Sequence, residues 1–211
     1  MENKSELKAY RSQPLISHSP ARTIAAITNP CILSIVMLLI IAFTRASQLS
    51  AALTQAAILV SLFVILPLVY VFYRTSSAAE KATFRADPTF FLKRHPRDVM
   101  ILGIICGPSS WAILKLVEAP TPLLETLLAL LITAFLAAII NLFYRISFHL
   151  SAIIVLIYMA AVIWGSLFWI LLLAIPPISW AKHRLKDHSY LQLALGIILG
   201  VGVTLLVVHW A

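Results

Sequence analysis

Residues 121–144 read TPLLETLLALLITAFLAAIINLFY, a run with one charged residue, Glu125. It exceeds the roughly 20 apolar residues that a helix needs to cross a bilayer. Similar runs fill most of the chain, at about 24–44, 51–73, 99–117, 148–164, 167–181 and 189–210. Of the 211 residues 61% are hydrophobic and 11% charged, with a mean hydropathy of +0.97. Soluble domains average about 45–50% apolar and about 25% charged, so the solvent for this fold is lipid. Because the apolar runs are continuous and do not alternate, a transmembrane β-barrel is set aside. The expected fold is all-α, a polytopic transmembrane bundle of six to seven membrane helices. Residues 1–23 form a polar tail and residues 24–211 a single membrane domain.

The division between crossings follows the turn formers. Pro120 and Pro122 separate the third run from the fourth, since proline ends what precedes it and is tolerated in a first helical turn. The stretch from Leu150 to Trp180 is long for one crossing and short for two. Trp164-Gly165-Ser166 supplies a turn that splits it into a hairpin, and Pro176-Pro177 is expected to distort the second arm near its end. Trp111, Trp164, Trp180 and Trp210 stand near segment ends, as interfacial anchors do.

Several classes are excluded by what surrounds these runs. Cys31 and Cys106 lie inside apolar segments with no CxxC spacing, which argues against a disulfide framework or a zinc site. The stretch from Met1 to Arg22 mixes both charge signs and lacks a small-residue cleavage site, so it reads as a tail and not a signal peptide. A net charge of +8 could suggest nucleic acid, but the cations are scattered between membrane segments and form no basic face. They are better suited to setting topology and meeting anionic membrane lipids. With the crossings as divided, 14 of the 16 Lys and Arg residues fall on one side, only Arg45 and Lys115 opposite. The positive-inside rule makes that side cytoplasmic, in an inner or plasma membrane if the chain is bacterial.

Three polar clusters return to that same face: Lys93 to Asp98, Arg145 to His149, and Lys182 to His188. Their residue types suit phosphoryl transfer, which needs cations and amide donors around the phosphate together with a nucleophile and an acid for the leaving oxygen. Histidine can fill either of the last two roles. His149 and His188 stand at helix starts, where free amides attract anions. Gln192 lies four residues beyond His188 on the same helical face, and its amide oxygen is expected to accept the imidazole N–H.

In these two clusters the chain resembles the type 2 phosphatidic acid phosphatase superfamily, membrane lipid phosphatases related to vanadium haloperoxidases. Ile146-Ser147-Phe148-His149 looks like its Pro-Ser-Gly-His motif, with Ile146 for proline and Phe148 for glycine. Ala181-Lys182 through His188 to Gln192 looks like the motif Ser-Arg, five residues, His, three residues, Asp, with the spacing kept and all but the histidine replaced. Arg94 and Arg97 stand near the place of the first motif without its lysine spacing or Arg-Pro pair. The resemblance covers about 86–211, and Gly196 and Gly200 fall where relatives often carry small residues. It implies that His188 attacks phosphorus and His149 protonates the departing oxygen, oriented by Gln192. Lys182, Arg97, Arg94, Ser147 and Arg184 would hold the phosphate, and neither metal nor other cofactor is implied. The implied ligand is a lipid or polyprenyl phosphate; the oligomeric state is left open.

Each feature also has a plainer reading. The loop around Lys93 can be a solvated cytoplasmic loop, a lone interfacial histidine is usually structural, and Gly196 with Gly200 reads as a helix-packing pair. His18, His95, His183 and His209 read as interfacial or solvated. The rival function is a non-catalytic membrane protein of the same scaffold that binds lipid phosphate without turnover. A polyprenyl transferase would want clustered aspartates for magnesium, whereas Asp87, Asp98 and Asp187 are isolated. A transporter would want a charge buried at mid-helix or an inverted repeat.

Overall fold

A computed structural model of the chain describes residues 20–74 and 96–210, with the side chains of 96, 97, 99 and 100 outside the description. Among the described residues nine α-helices run in order: α1 (Pro20–Ile27), α2 (Pro30–Arg45), α3 (Leu49–Val60), α4 (Leu66–Arg74), α5 (Pro96–Leu116), α6 (Thr121–Asn141), α7 (Phe148–Trp164), α8 (Ile175–Arg184) and α9 (Tyr190–Trp210). A π-helical turn, Ser61–Ile65, joins α3 to α4, and a 3-10 segment, Ser166–Ala174, leads into α8. No strand occurs among the described residues. The first helix begins at Pro20, inside the stretch assigned to the polar tail.

Four helical stretches among the described residues are long and apolar enough to cross a membrane: Pro20–Arg45, Leu49–Arg74, Thr121–Asn141 and Tyr190–Trp210. Ile101–Leu116 and Phe148–Trp164 are apolar but shorter. The run at 167–181 is not one helix, being divided between the 3-10 segment and α8. Large apolar side chains cover the outer surface, among them Phe43, Leu68, Ile104, Phe135, Ile170 and Ile198. Water would not tolerate so broad an apolar surface, and the protein is membrane-embedded.

Local chemistry sets the helix ends. The Asn29 side chain accepts the Cys31 N–H at 3.0 Å, and Pro30 follows at the first helical position of α2, the usual N-terminal arrangement. Pro67 has no N–H for the carbonyl four residues back and its ring crowds that turn; the chain widens there into the π-helical turn. Gly165, at φ 107, ends α7 in a conformation that L side chains resist. Pro176 and Pro177 do not distort the end of a helix as expected. They occupy the first turn of α8, where a missing N–H costs nothing.

Helix α7 is the axis of the bundle. Residues 150–157 and 159–161 are buried, and α7 packs on α2, α6, α9 and the 3-10 segment. This short apolar run is thus shielded by protein. Against lipid no hydrophobic force drives helices together, so contact depends on close packing of small residues. A Cβ on Gly196 would stand 2.5 Å from the Ser147 carbonyl oxygen, and one on Gly200 2.5 Å from that of Ser151. The packing pair anticipated in the sequence therefore joins α9 to α7. The two helices run parallel, because later residues of one meet later residues of the other. Buried hydroxyls along them bond back to their own helix, Ser151 to the Ser147 carbonyl at 2.9 Å and Thr204 to that of Gly200 at 2.7 Å, as a dry interior requires. At the far end of α7 the Arg45 guanidinium donates to the Ile163 carbonyl.

Candidate functional site

The site is built where α6 hands over to α7 and α8 to α9. Asn141 closes α6, and its side-chain oxygen accepts the Ile146 N–H at 2.7 Å, folding the 142–147 turn back over the helix end. The Ser147 N–H then donates to the Gln192 carbonyl at 3.1 Å, and the Ser147 hydroxyl accepts from Leu150 N–H at 3.4 Å. His149 is thereby held in the first turn of α7. On the other side, the Asp187 N–H donates to the Lys182 carbonyl at 3.1 Å, and Lys186 turns the chain at φ 58. The His183 ring stacks on Tyr190 at 4.0 Å and its Nδ1 contacts the His188 carbonyl at 3.3 Å. Ser189 and Gln192 form a reciprocal capping box at the start of α9: Ser189 N–H to the Gln192 side-chain oxygen at 2.9 Å, Gln192 N–H to the Ser189 hydroxyl at 3.4 Å.

His149 and His188 meet at one cavity of about 360 Å³, lined with them by Asn141, Arg145, Ile146 and Phe148. The ring nitrogens His149 Nε2 and His188 Nδ1 are buried without a hydrogen-bond partner among the described residues. A buried polar atom left unpaired is costly, so an uncommitted pair on two residues that line one cavity points to a ligand with oxygens to offer. Lys182 lies beneath, its side chain 11% exposed, and its ammonium meets the Asp187 carboxylate at 3.3 Å. Both charges act on both imidazoles, and the backbone of Ala25 on α1 contacts the His149 ring. Burial pushes His188 below the usual imidazole range, with Lys182 and Arg145 adding to that effect while Gln192 and Asp187 oppose it. A neutral imidazole near pH 7 is the nucleophilic form.

The sequence-predicted residues separate into groups. His149 and His188 come together, with Lys182 in electrostatic reach. Gln192 stands by His188 and favours its charged form, but its amide oxygen is taken by the Ser189 N–H; capping the helix satisfies an amide that would otherwise be orphaned. Ser147 is fully buried and serves as the N-cap of α7, outside the cavity wall. Arg184 is exposed and does not line it either. Arg94 lies outside the described residues, and Arg97 falls in α5 with its side chain outside them. Asn141 and Arg145 were not among the predicted site residues. Arg145 had signalled itself as a cation four residues before His149, whereas Asn141 was hidden in the longest apolar run.

Among the described residues no group of three or more His, Cys, Asp or Glu side chains comes together to hold a metal ion. A second cavity, about 380 Å³, lies between α2 and the π-turn and α4, walled only by apolar residues such as Ile32, Phe63 and Val71. It carries no chemistry of its own. Comparisons with protein-family models, with curated proteins and with solved structures find no match to this chain.

Proposed function

We propose that this protein is a multi-pass membrane lipid phosphatase that hydrolyses a phosphate monoester or diphosphate on a lipid or polyprenyl chain through a phosphohistidine. The observation that carries the reading is that His149 and His188 line one cavity, each with a buried ring nitrogen that has no hydrogen-bond partner among the described residues. His188, neutral near pH 7, attacks phosphorus as the bond to the lipid oxygen breaks, and His149 delivers the proton that this oxygen takes up. Water then attacks phosphorus as its bond to the His188 nitrogen breaks, giving a proton to His149 and releasing phosphate. Free amides at the start of α7 and the Lys182 ammonium offset the charge that gathers on the phosphoryl oxygens.

The reading includes six to seven crossings. Helix α7 reaches about 25 Å at 1.5 Å per residue, short of the roughly 30 Å hydrocarbon core but flanked by other helices. The 3-10 segment rises about 2.0 Å per residue, so with α8 it reaches about 33 Å. Contacts at the ends support the alternation: Ala25 meets His149, Arg45 meets Ile163, and Ser147 meets Gln192. The cavity then opens on the face that carries most of the cations, the cytoplasmic side by the positive-inside rule.

A second reading is a scaffold of the same shape that binds lipid phosphate without turnover. It is favoured by the commitment of the Gln192 amide oxygen to Ser189, which leaves His188 without a carboxylate to stabilise its charged form. The two separate by assay of the purified full chain with phosphatidic acid, phosphatidylglycerophosphate and undecaprenyl diphosphate. Phosphate release that disappears in His188→Ala supports the enzyme. Binding without release supports the scaffold, and neither binding nor release removes both.

A further inference from the structure

We propose that Arg145, assisted by Asn141, is the anchor that grips the phosphate in the imidazole cavity, and that it takes this phosphate from a lipid at the membrane interface. The inference rests on the cavity being a phosphate site, and it adds a residue that neither motif resemblance supplies.

The cavity's charges decide it. The Lys182 cation is paired with Asp187 at 3.3 Å, so its charge is largely cancelled before a ligand arrives. Arg145 lines the same cavity, acts electrostatically on His188, and has no hydrogen bond or ion pair among the described residues. Among the described residues it is therefore the uncancelled cation lining that cavity. Asn141 spends its side-chain oxygen on the Ile146 N–H, which leaves its amide N–H groups as donors. A planar guanidinium presents paired donors that suit two oxygens of one phosphate. With two histidines lining the same cavity, the donor set fits a terminal phosphate with several free oxygens better than a phosphodiester.

The source of the phosphate follows from the turn that carries Arg145. Leu142 and Phe143, just before it, are 78% and 87% exposed. Apolar and aromatic side chains projecting next to a cation mark the headgroup level of a bilayer, so the cavity mouth faces lipid and its ligand arrives laterally.

Full-length protein in detergent would be titrated calorimetrically with dioctanoyl phosphatidic acid, inorganic phosphate and dioctanoylglycerol. Wild type is expected to bind phosphatidic acid at least tenfold more tightly than inorganic phosphate, and dioctanoylglycerol weakest. Arg145→Gln should weaken both phosphate ligands at least tenfold with the melting temperature unchanged, and Arg145→Lys should recover part of the loss. Phe143→Ser should weaken the lipid alone. Unchanged affinity in Arg145→Gln overturns the anchor, as does a wild type that binds neither phosphate ligand; equal affinity for the two overturns the lipid source. Wild type that binds phosphatidic acid through Arg145 but releases no phosphate removes the phosphatase reading and leaves the anchor standing.

Discussion

The Ser147 amide donates to the Gln192 carbonyl at 3.1 Å, tying the start of α7 to the first turn of α9. One residue pair thus fixes the relative height of two helices whose leading ends carry His149 and His188. Immediately below, Gly196 and Gly200 let the two backbones approach closely enough for that bond to form.

The closeness of α7 and α9 is testable by size alone. Gly196→Leu puts a side chain where a Cβ already meets backbone oxygen at 2.5 Å, and backbone cannot swing aside as a flexible side chain can. Overpacking of this kind costs about 1–3 kcal/mol or more, and it should also separate the histidines. Gly202→Leu is the control, because a Cβ there has no atom within 4 Å. Thermal melts in detergent should drop for the first variant and hold for the second. Equal losses would show that the close approach at Gly196 is not what sets the stability.

A pH dependence follows from the lowered His188 pKa. The unfolded chain takes up the His188 proton at the ordinary value near 6.5, the folded chain only at lower pH. Between the two the unfolded state binds more protons, so folding stability is full above about 6.5 and declines as pH falls below it. His188→Gln should flatten this decline in melts taken from pH 8 to pH 5. Because the histidine is partly exposed, the effect is expected to be modest. A wild-type profile identical to that of the variant would place no such burden on His188.

Much of the architecture was legible in the sequence because lipid imposes one rule on every residue of a crossing. Hydrophobic length revealed the helices, and Gly165 marked its turn through the φ that only glycine adopts readily. The segment after it was not legible, since neither composition nor spacing distinguishes 3-10 from α geometry in a run as uniform as SLFWILLLA. Within the site, the helical spacing of Gln192 from His188 suggested a partnership. The Ser-x-x-Gln signature of a capping box stood at the same residues and took the amide oxygen instead. Arg145 stood in the polar cluster that ends at His149, but neither motif resemblance gives it a role; its position on the cavity wall does.

Replacing Gln192 tests how the capping box and His188 share this residue. Gln192→Glu keeps an acceptor for the Ser189 N–H and brings a negative charge beside the imidazole, so the fold should hold while the His188 pKa rises. Gln192→Ala removes the acceptor of the Ser189 N–H, half of the capping box, and should cost about 1 kcal/mol. Histidine NMR titration of labelled protein would read the first effect and thermal melts the second. An unmoved His188 titration in the glutamate variant would mean that the two side chains do not communicate.

The Lys182–Asp187 pair makes the last case, since an incoming phosphate must compete with the Asp187 carboxylate for the same ammonium. The carboxylate is the more exposed partner, 46% against 11%, and it sits on a turn whose Lys186 has an unusual backbone angle. It can therefore yield to a ligand while Lys182 stays in place. Asp187→Asn removes the competitor without removing the turn. Phosphatidic acid affinity should then rise roughly two- to fivefold, the worth of a partly exposed ion pair, and the gain should shrink as salt screens both interactions. Lys182→Met should lower affinity, and the double variant should lose the benefit of Asp187→Asn because the cation it frees is gone. A gain that persists in the double variant would place the effect of Asp187 elsewhere, on the imidazoles themselves.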